Sequence, residues 1–464
     1  MGAASQNNVI SGNLIGTDIT GNNDLGNGWT GISINSDKNT IGGSSENKRN
    51  IISGNGQDGI SIAGNNNTII GNYIGTDLTG KSAIANKWNG IRLYPGSNNV
   101  IGGAGTGESN IISGNQQTGI FLSGAYATKI WANYIGTDAA GTATLPNGSD
   151  GISLRSGAHG NVIGGNLISA NGGIGVHLSD AGTDSNVVRD NRIGANVSGT
   201  DALPNASFGV AIFNGPQHNV IGPTNLVAHN GLDGVLVDGA DNLGSTVSNT
   251  ITANSITANG RRGIENMRGG NLELAPPTIL SLTTTEVSGT ADAGQTVEVF
   301  ADEEDEGLLY LGSTSANATG NFVLSLSEPL PPMPYITATS TDTAGNTSQF
   351  SQPWNVTSVA ETAESTIPEK FSLSQNYPNP FNPTTTINFA VPRKFVGGVK
   401  VSLKIFNIEG KMVRSLVDED KSPGFYSVVW DGKNDEGRKA SSGLYFCTVS
   451  VGEFRAARKM ILLQ

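Results

Sequence analysis

The sequence predicts an all-β protein in which a right-handed parallel β-helix is followed by two small β-sandwich domains. Three observations predict this class. Segments of the form N-x-I-x-x-N-x-I recur between residue 8 and about residue 270, G-I-x-I segments alternate with them, and glycine supplies 64 of the 464 residues. Alternation with a period of two is typical of strands, and strands this short become stable only when similar ones stack on each other.

Two columns of asparagine are predicted at the bends of this solenoid. The first Asn of the motif is replaced once, by Thr128. The second position is invariant, and its residues are Asn13, Asn50, Asn72, Asn110, Asn133, Asn166, Asn191, Asn225 and Asn254. An amide side chain donates and accepts hydrogen bonds, so stacked Asn residues form a ladder, and Asn also tolerates the left-handed backbone of a tight bend.

The coils alternate in length. The G-I-x-I segments begin at glycines, and the closest pair, Gly151 and Gly175, defines the shortest coil. Coils that contain I-G-T-D, or the variant I-G-A-N, insert a loop of about 16 residues, whereas the intervening coils carry other insertions. The repeat is therefore a pair of coils of about 60 residues, and the lack of a strict hexapeptide period favours the right-handed form.

Residues 8–270 resemble the right-handed parallel β-helix repeats of secreted bacterial proteins and of pectin-acting enzymes. The resemblance rests on the N-x-I-x-G-N-x-I-G-T-D and G-I-x-I patterns and covers more than half of the chain. It implies the stacked fold. It leaves the ligand open, because such repeats occur mostly in large surface proteins without assigned chemistry.

Changes in composition predict four segments. The β-helix occupies 1–275 and begins in the middle of a coil without a signal peptide, so we expect a longer protein upstream. Residues 276–352 alternate strand-like and turn-like segments, resemble bacterial Ig-like domains, and predict a β-sandwich. Residues 353–370 are a polar linker. Residues 371–464 begin with three closely spaced prolines and continue with segments that predict strands at 385–391, 399–407, 426–430, 443–451 and 456–463.

The last segment resembles the type A C-terminal sorting domain of the type IX secretion system. The matching segments are Y-P-N-P-F-N-P-T-T at 377–385, I-F-N-I-E-G-K-M-V at 405–413, P-G-F-Y-S-V-V-W-D-G at 423–432, S-G-L-Y-F at 442–446 and R-K-M-I-L-L at 458–463. The positions carried over as the sorting signal are Tyr377, Pro378, Asn379, Pro380, Phe381, Asn382, Pro383, Gly410, Trp430, Gly443 and Lys459.

This second resemblance implies a route and a location. The type IX secretion machinery is the implied partner, and the protein is expected outside the cell or on the outer-membrane surface after passing through the periplasm. The net charge of −12 argues against nucleic acid as a partner. No apolar run is long enough to span a bilayer, and we expect a monomer.

One face of the G-I-x-I sheet is the candidate ligand site. Its outward positions include Arg92, Tyr94, Phe121, Arg155 and His177, which fall within a few rungs spaced by about 4.8 Å. Aromatic and cationic groups on a flat polar sheet suit sugar stacking and the carboxylates of uronic acids. The alternative is a set of scattered surface residues that bind nothing.

No catalytic residue, metal site or cofactor is predicted. β-Helix hydrolases need grouped Asp residues on a strand face, and lyases need an Asp cluster for calcium with a cationic base; the outward positions offer neither. Asp18, Asp77 and Asp138 recur in alternate coils, which favours Asx-turns over a shared cation. Calcium remains an alternative at the acidic run 302–306, which is interpreted as a solvated hairpin tip.

Two functions therefore stand. The first is a non-catalytic surface protein, such as an adhesin, a glycan binder or a rigid spacer. The second is a polysaccharide-acting enzyme of the β-helix class, a lyase, hydrolase or epimerase.

Overall fold

The structure, a computed structural model, describes residues 5–239, 246–356, 371–373, 376, 379, 381, 383–395, 397–452 and 454–462. The chain forms two compact units, Met1–Ala360 and Glu361–Gln464. Strands dominate both units, and short 3-10 turns lie at Glu46–Lys48, Gly270–Glu273 and Arg393–Phe395. None of the described helices is long and apolar enough to cross a membrane.

The first unit begins with nine coils, each built from three short strands that stack into three parallel sheets. The first sheet contains β1 (Val9–Ile10), β4 (Thr40–Gly42), β7 (Thr68–Ile70), β10 (Val100–Ile101), β13 (Lys129–Trp131), β16 (Val162–Gly164), β19 (Val187–Arg189), β22 (Val220–Ile221) and β25 (Thr250–Ile251). The second contains β2 (Leu14–Ile15), β5 (Ile51–Ile52), β8 (Tyr73–Ile74), β11 (Ile111–Ile112), β14 (Tyr134–Ile135), β17 (Leu167–Ile168), β20 (Arg192–Ile193), β23 (Leu226–Ala228) and β26 (Ser255–Thr257).

The third sheet holds the G-I-x-I segments. It contains β3 (Ile32–Ile34), β6 (Ile60–Ile62), β9 (Ile91–Leu93), β12 (Ile120–Ser123), β15 (Ile152–Arg155), β18 (Val176–Ser179), β21 (Val210–Phe213), β24 (Val235–Asp238) and β27 (Ile264–Met267). The predicted all-β class with a parallel solenoid is confirmed.

A single apolar core runs along the axis of the solenoid. Each coil contributes inward side chains from all three sheets; in the third coil these are Ile69, Ile74 and Leu93, which are fully buried. Burial of one such side chain stabilises the fold by roughly 1.5–3 kcal/mol. The repeated Ile positions are therefore the main source of stability along the stack.

The second Asn column is a continuous hydrogen-bonded ladder. Nδ2 of Asn72 donates to Oδ1 of Asn110 and to the Ile41 carbonyl, both at 3.0 Å, while Oδ1 of Asn72 accepts from Asn50 at 2.9 Å. The same amide-to-amide bond links every neighbouring pair from Asn13 to Asn254. These amides, which are buried from Asn50 to Asn254, thus connect all nine coils.

A third Asn column escaped the sequence interpretation. It lies at the bend before the third sheet, and amide-to-amide bonds of 2.8–3.0 Å link Asn27, Asn55, Asn86, Asn115, Asn147, Asn171, Asn205, Asn230 and Asn259. Each of these residues stands four positions before a coil glycine, and this constant spacing is the sequence signal that could have predicted the column. A Cβ on Gly59 would stand 2.7 Å from Gly90 O, 2.8 Å from Ile74 Cγ2 and 2.9 Å from Asn86 Nδ2, so the next coil and its ladder amide together require a glycine there.

The loops of about 16 residues project between the second and third sheets. Oδ1 of Asp77 accepts the backbone N–H groups of Thr79, Lys81 and Ser82, as the Asx-turn interpretation predicts. Hydrogen bonds from Asn23 and Thr20 likewise hold the pKa of Asp18 well below its ordinary value.

These loops also contact each other although a coil separates them. The N–H of Leu78 donates to Gly21 O at 3.0 Å, and the N–H of Ala139 donates to Gly80 O at 2.9 Å. The N–H of Val197 continues the series to Gly141 O at 2.9 Å. The four loops therefore form one ridge along the solenoid.

The rest of the first unit is an antiparallel sandwich. One sheet contains β28 (Thr278–Leu282), β29 (Glu286–Thr290) and β32 (Asn321–Ser325); the other contains β30 (Thr296–Asp302), β31 (Leu309–Ser315), β33 (Tyr335–Thr341) and β34 (Trp354–Asn355). Strand β28 was not predicted, because two prolines precede it and its own residues do not alternate cleanly.

This sandwich covers the last coil of the solenoid. Ile256 of β26 and Gly307 exchange two backbone hydrogen bonds of 2.9 Å, and the N–H of Ile251 in β25 donates to Thr347 Oγ1 at 2.9 Å. Phe350 packs against the apolar core. Backbone groups and apolar side chains at this end of the stack are therefore satisfied by the sandwich.

The acidic run 302–306 joins the antiparallel strands β30 and β31, and its middle residues Glu303, Glu304 and Asp305 are exposed, as a solvated hairpin tip predicts, but the two ends of the run are buried. Asp302 and Glu306 are 1% and 3% exposed, and Glu306 Oε2 accepts the N–H of Asn259 at the junction. Burial raises the pKa of Glu306 to about 8. Among the described residues no group of three or more acidic, His or Cys side chains is arranged to hold a metal ion.

The second unit is another antiparallel sandwich. One sheet contains β35 (Ser372–Leu373), β36 (Thr385–Val391) and β39 (Gly424–Trp430); the other contains β37 (Val399–Asn407), β38 (Met412–Lys421), β40 (Gly443–Val451) and β41 (Phe454–Leu462). Its core surrounds the fully buried Trp430. The all-β prediction therefore holds for the described residues of this unit as well.

Replacing Asn133 by Leu should destabilise the solenoid. The change leaves the partners of a buried amide unpaired, which costs about 1–3 kcal/mol for each lost partner group. Thermal unfolding followed by circular dichroism should show a lower midpoint for Asn133→Leu than for Asn22→Leu, because Asn22 is exposed on a loop. Equal midpoints would refute the stabilising role of the ladder.

The Glu306 carboxyl should make the stability of the first unit depend on pH. The folded protein holds this proton up to a pKa of about 8, whereas the unfolded chain releases it near the ordinary glutamate pKa of 4.5. The stability that the protonated group contributes is complete below that lower value and is lost as pH rises through about 8.

Glu306→Gln retains a hydrogen-bond acceptor but cannot ionise. The unfolding midpoint of this variant should therefore fall less between about pH 5 and about pH 9 than the midpoint of the wild-type protein. Glu304→Gln, at an exposed position in the same run, is the control and should behave like the wild type. Calorimetry of the full chain measures both, and identical pH dependence in all three proteins would contradict the assignment.

Candidate functional site

The outer face of the third sheet carries two columns of side chains. The middle outward position of each strand forms the first column, and strand register places Arg92, Phe121, Ser153 and His177 on four successive rungs. The second column is formed by the outward position two residues later in each strand. In this column Ser123 of β12 pairs with Arg155 of β15. The candidate residues therefore lie on neighbouring rungs of one sheet.

Arg92, Tyr94 and Phe121 form the first group. The guanidinium carbon of Arg92 lies 4.6 Å from the ring centroid of Tyr94 and 5.5 Å from that of Phe121. Tyr94 is 37% exposed, while the Nε of Arg92 is buried and has no hydrogen-bond partner among the described residues. The group offers an aromatic ring to solvent beside a cation.

Asp58 lies close to this group. Its Oδ1 accepts the backbone N–H and the side-chain amide of Asn89 at 3.1 and 2.8 Å. Burial raises the pKa of the Asp58 carboxyl, while the Asn89 hydrogen bonds and the charge of Arg92 oppose that rise. Asp58 is buried, and its carboxylate interacts electrostatically with the Arg92 guanidinium.

Arg155, His177 and Asp150 form the second group. His177 Nδ1 lies 2.9 Å from Asp150 Oδ2 and 3.1 Å from Arg155 Nη2. One nitrogen cannot donate to the carboxylate and accept from the guanidinium together, and we assign its proton to the shorter contact with the anion. In that tautomer Nε2 is the acceptor.

Sequence reasoning missed Asp150 as a member of this group. Its Oδ1 also accepts the N–H of Ile174 at 3.0 Å, which fixes the carboxylate at the bend before β15. Asp150 is far from His177 along the chain, and the only signal was its position directly before a coil glycine.

Ser153 does not complete a catalytic triad with these residues. Its hydroxyl is buried and accepts a hydrogen bond from Arg155 Nε at 3.1 Å. The described hydrogen bonds include none between Ser153 and His177, so no base activates the hydroxyl. The arrangement can bind and orient an anion, and its one basic nitrogen is Nε2 of His177.

The outer face is not polar along its whole length, contrary to the expected flat polar sheet. On the later coils Ala211 and Leu236 point outward but are buried beneath Phe208, Phe213 and Met267. Phe213 also meets His177 edge-on, with ring centroids 5.3 Å apart. Apolar side chains therefore border the candidate site on this side.

In the second unit the two ends of the sorting pattern come together. Oδ1 of Asn379 accepts the N–H of Ile461 at 2.8 Å, and its Nδ2 donates to Lys459 O at 3.1 Å. Phe381 is buried against Trp430, with ring centroids 5.4 Å apart.

The remaining sorting positions divide into two sets. Gly410 occupies a turn at φ +76°, Gly443 begins β40, and Pro383 precedes β36. The other four lie outside the described residues; these are Tyr377, Pro378, Pro380 and Asn382.

Three protein families match parts of the chain. Residues 76–249 match the family described as right handed beta helix region, 275–358 match a bacterial Ig domain, and 388–453 match the FlgD Ig-like domain. The chain is thus a β-helix followed by Ig-like domains. A search of curated proteins finds no significant match.

Solved structures give weaker likenesses. Dimeric latent PorU from Porphyromonas gingivalis is 18% identical over 41% of this chain and 20% of its own, with a TM-score of 0.17. PorZ, an essential surface component of the type-IX secretion system of the same organism, is 16% identical over 40% and 30%, with a score of 0.15.

A glycosyl hydrolase family 2 member from Bacteroides cellulosilyticus is 15% identical over 39% and 23%, with a score of 0.18. The chain spans less than a third of the length of each of these proteins. Scores at this level carry no argument about its function.

Proposed function

We propose that this β-helix protein is secreted or held at the cell surface, where it binds acidic polysaccharide on the third sheet without altering it chemically. The observation that carries the proposal is the pair of cation-containing groups, around Arg92 and around Arg155, on neighbouring rungs of one rigid face. An adhesin or a spacer that holds glycan would use such a face.

The dimensions and the chemistry of the face support a chain-like ligand. Arg92 and His177 are three rungs apart, which is about 14 Å at the usual strand spacing. That length suits an oligosaccharide better than a single sugar. Tyr94 offers a ring on which a pyranose can stack, and the guanidinium groups can pair with carboxylates.

The same geometry supports a non-catalytic role for this face. In the described part of this face Ser153 has no activating base, and the two nearby carboxyl groups lie on different coils, Asp58 bound to Asn89 and Asp150 to His177. A hydrolase of the β-helix class would need two carboxyl groups across one sugar bond. The described arrangement favours holding a ligand over cleaving it.

One observation favours a second candidate, a lyase or an epimerase acting on uronic acid. Asp150 orients His177, whose Nε2 can accept a proton, and Arg155 lies beside it to neutralise a sugar carboxylate. Proton abstraction next to that carboxylate is the first step of either reaction. Formation of an unsaturated product from polygalacturonate, detected by ultraviolet absorbance, would decide in favour of the enzyme.

We propose further that residues 371–464 direct export by the type IX secretion machinery. They form a compact unit apart from the solenoid, and the first and last segments of the sorting pattern contact each other through Asn379. Cleavage is expected within about residues 353–376, which include the polar linker. The exported protein is expected to be a monomer, and we assign it no cofactor.

Arg92→Ala combined with Arg155→Ala should weaken binding of a galacturonic acid hexamer by about tenfold or more, because two charge-assisted contacts are lost. Titration calorimetry measures the affinity, and circular dichroism should stay unchanged. Lys81→Ala with Lys87→Ala, at exposed loop positions, is the matched control and should bind normally. A loss in the control alone would move the site to the loops.

Deleting 371–464 should trap the protein in the periplasm of a host that has the type IX system. The solenoid should remain folded there, because its core is formed within the first unit. Fractionation and mass spectrometry of the extracellular protein measure the effect, and the full chain should appear outside the cell without this segment. Efficient surface delivery of the deletion variant would refute the sorting role.

A further inference from the structure

The first sheet carries an aromatic platform that the candidate face does not include. Trp131 in β13 points outward, and strand register places Gly164 and then Arg189 beside it on the next two rungs. A Cβ on Gly164 would stand 2.1 Å from Cζ3 of the indole. The ring therefore lies flat across the next coil, in space that only glycine leaves open.

One cation lies over this ring, and a second lies on the same face of the strand. The guanidinium carbon of Arg189 lies 4.8 Å from the indole centroid, and the same guanidinium is bound by Asp190 at 2.6 Å. Lys129 stands two residues before Trp131 on the same face, is exposed, and forms no ion pair with any described residue. The indole N–H donates to no described group, so it is also available to a ligand.

A second aromatic surface lies on the same two coils. The rings of Tyr126 and His159 are stacked, with centroids 5.1 Å apart and planes 3° apart, and Tyr126 is 43% exposed. Tyr126 is five residues from Trp131, so their Cα atoms are at most roughly 16 Å apart, and the chain bends between them at Ala127, where φ is +51°. Lys129 lies between the two aromatic residues in the chain.

We propose that Tyr126, Lys129 and Trp131 form a second binding site, for an oligosaccharide that bears uronic acid carboxylates. Sugar rings stack on the two aromatic surfaces, and the Lys129 ammonium pairs with a carboxylate between them. The site lies on a different sheet from the Arg92 face and does not depend on it.

A single-stranded nucleic acid would use the same types of residue, but the net charge of the chain disfavours it. Two faces on one rigid solenoid would let the protein hold two polysaccharide chains at once, and linked sites raise the overall affinity for a polymer without any new contact.

The experiment is titration of the full chain with galacturonic acid hexamer. Trp131→Ala should weaken binding at this site by about tenfold, and Lys129→Gln, which leaves the packing intact, by about threefold. Trp131→Phe keeps a ring and should recover most of the affinity. Trp29→Ala, at a Trp that is 73% exposed on a loop, should change nothing.

The Arg92→Ala, Arg155→Ala background separates this site from the proposed face. Retained hexamer binding that Trp131→Ala then abolishes supports the second site, whether or not the Arg92 face binds. Binding that is already absent in that background would overturn the second site and leave the proposed function standing. Equal affinity for a neutral glucan hexamer or for oligothymidylate would overturn the uronate assignment.

Discussion

The structure of the first unit depends on one constraint, which is that strands of two to four residues cannot satisfy their own backbone. Each coil obtains its hydrogen bonds from the coils above and below, and the Asn ladders extend the same dependence to the bends. Asn72 illustrates this, since its amide contacts both neighbouring coils as well as a carbonyl of the preceding one. Stability is therefore a property of the stack and not of any single coil.

The same constraint decides what a surface residue can do. Because register is kept from rung to rung, side chains that are about 30 residues apart in the chain become neighbours in a column. Arg92 and Phe121 meet in this way on the third sheet, and Trp131 meets Arg189 across a glycine on the first. The solenoid thus converts a repeated sequence into flat faces whose chemistry is set by a few substitutions.

Much of the fold could be predicted because strand periodicity is a local signal. Thr385–Val391, Val399–Asn407 and Gly443–Val451 have the bounds that alternation predicts. Met412–Lys421 was missed because its charged end hides the alternation. The outward residues of the third sheet could be predicted for the same reason, since each strand shows which side chains point away from the core.

What could not be predicted depends on contacts between distant segments. Asp150 reaches His177 from a bend, and nothing in the spacing of the two residues shows that the bend faces the ring. Glu306 is polar in sequence and buried in the fold, because the surface that covers it belongs to another domain. Burial of that kind can be seen only in a structure that contains both domains.

The sandwich that covers the last coil has a consequence for self-association. An open end of a parallel solenoid presents three unpaired strand edges, and such edges template the addition of further chains into fibres. Here Ile251 and Ile256 are already hydrogen-bonded to Thr347 and Gly307, and Phe350 occupies the apolar centre. Growth from this end is blocked, so a protein built from a polymer-like repeat keeps a defined length there.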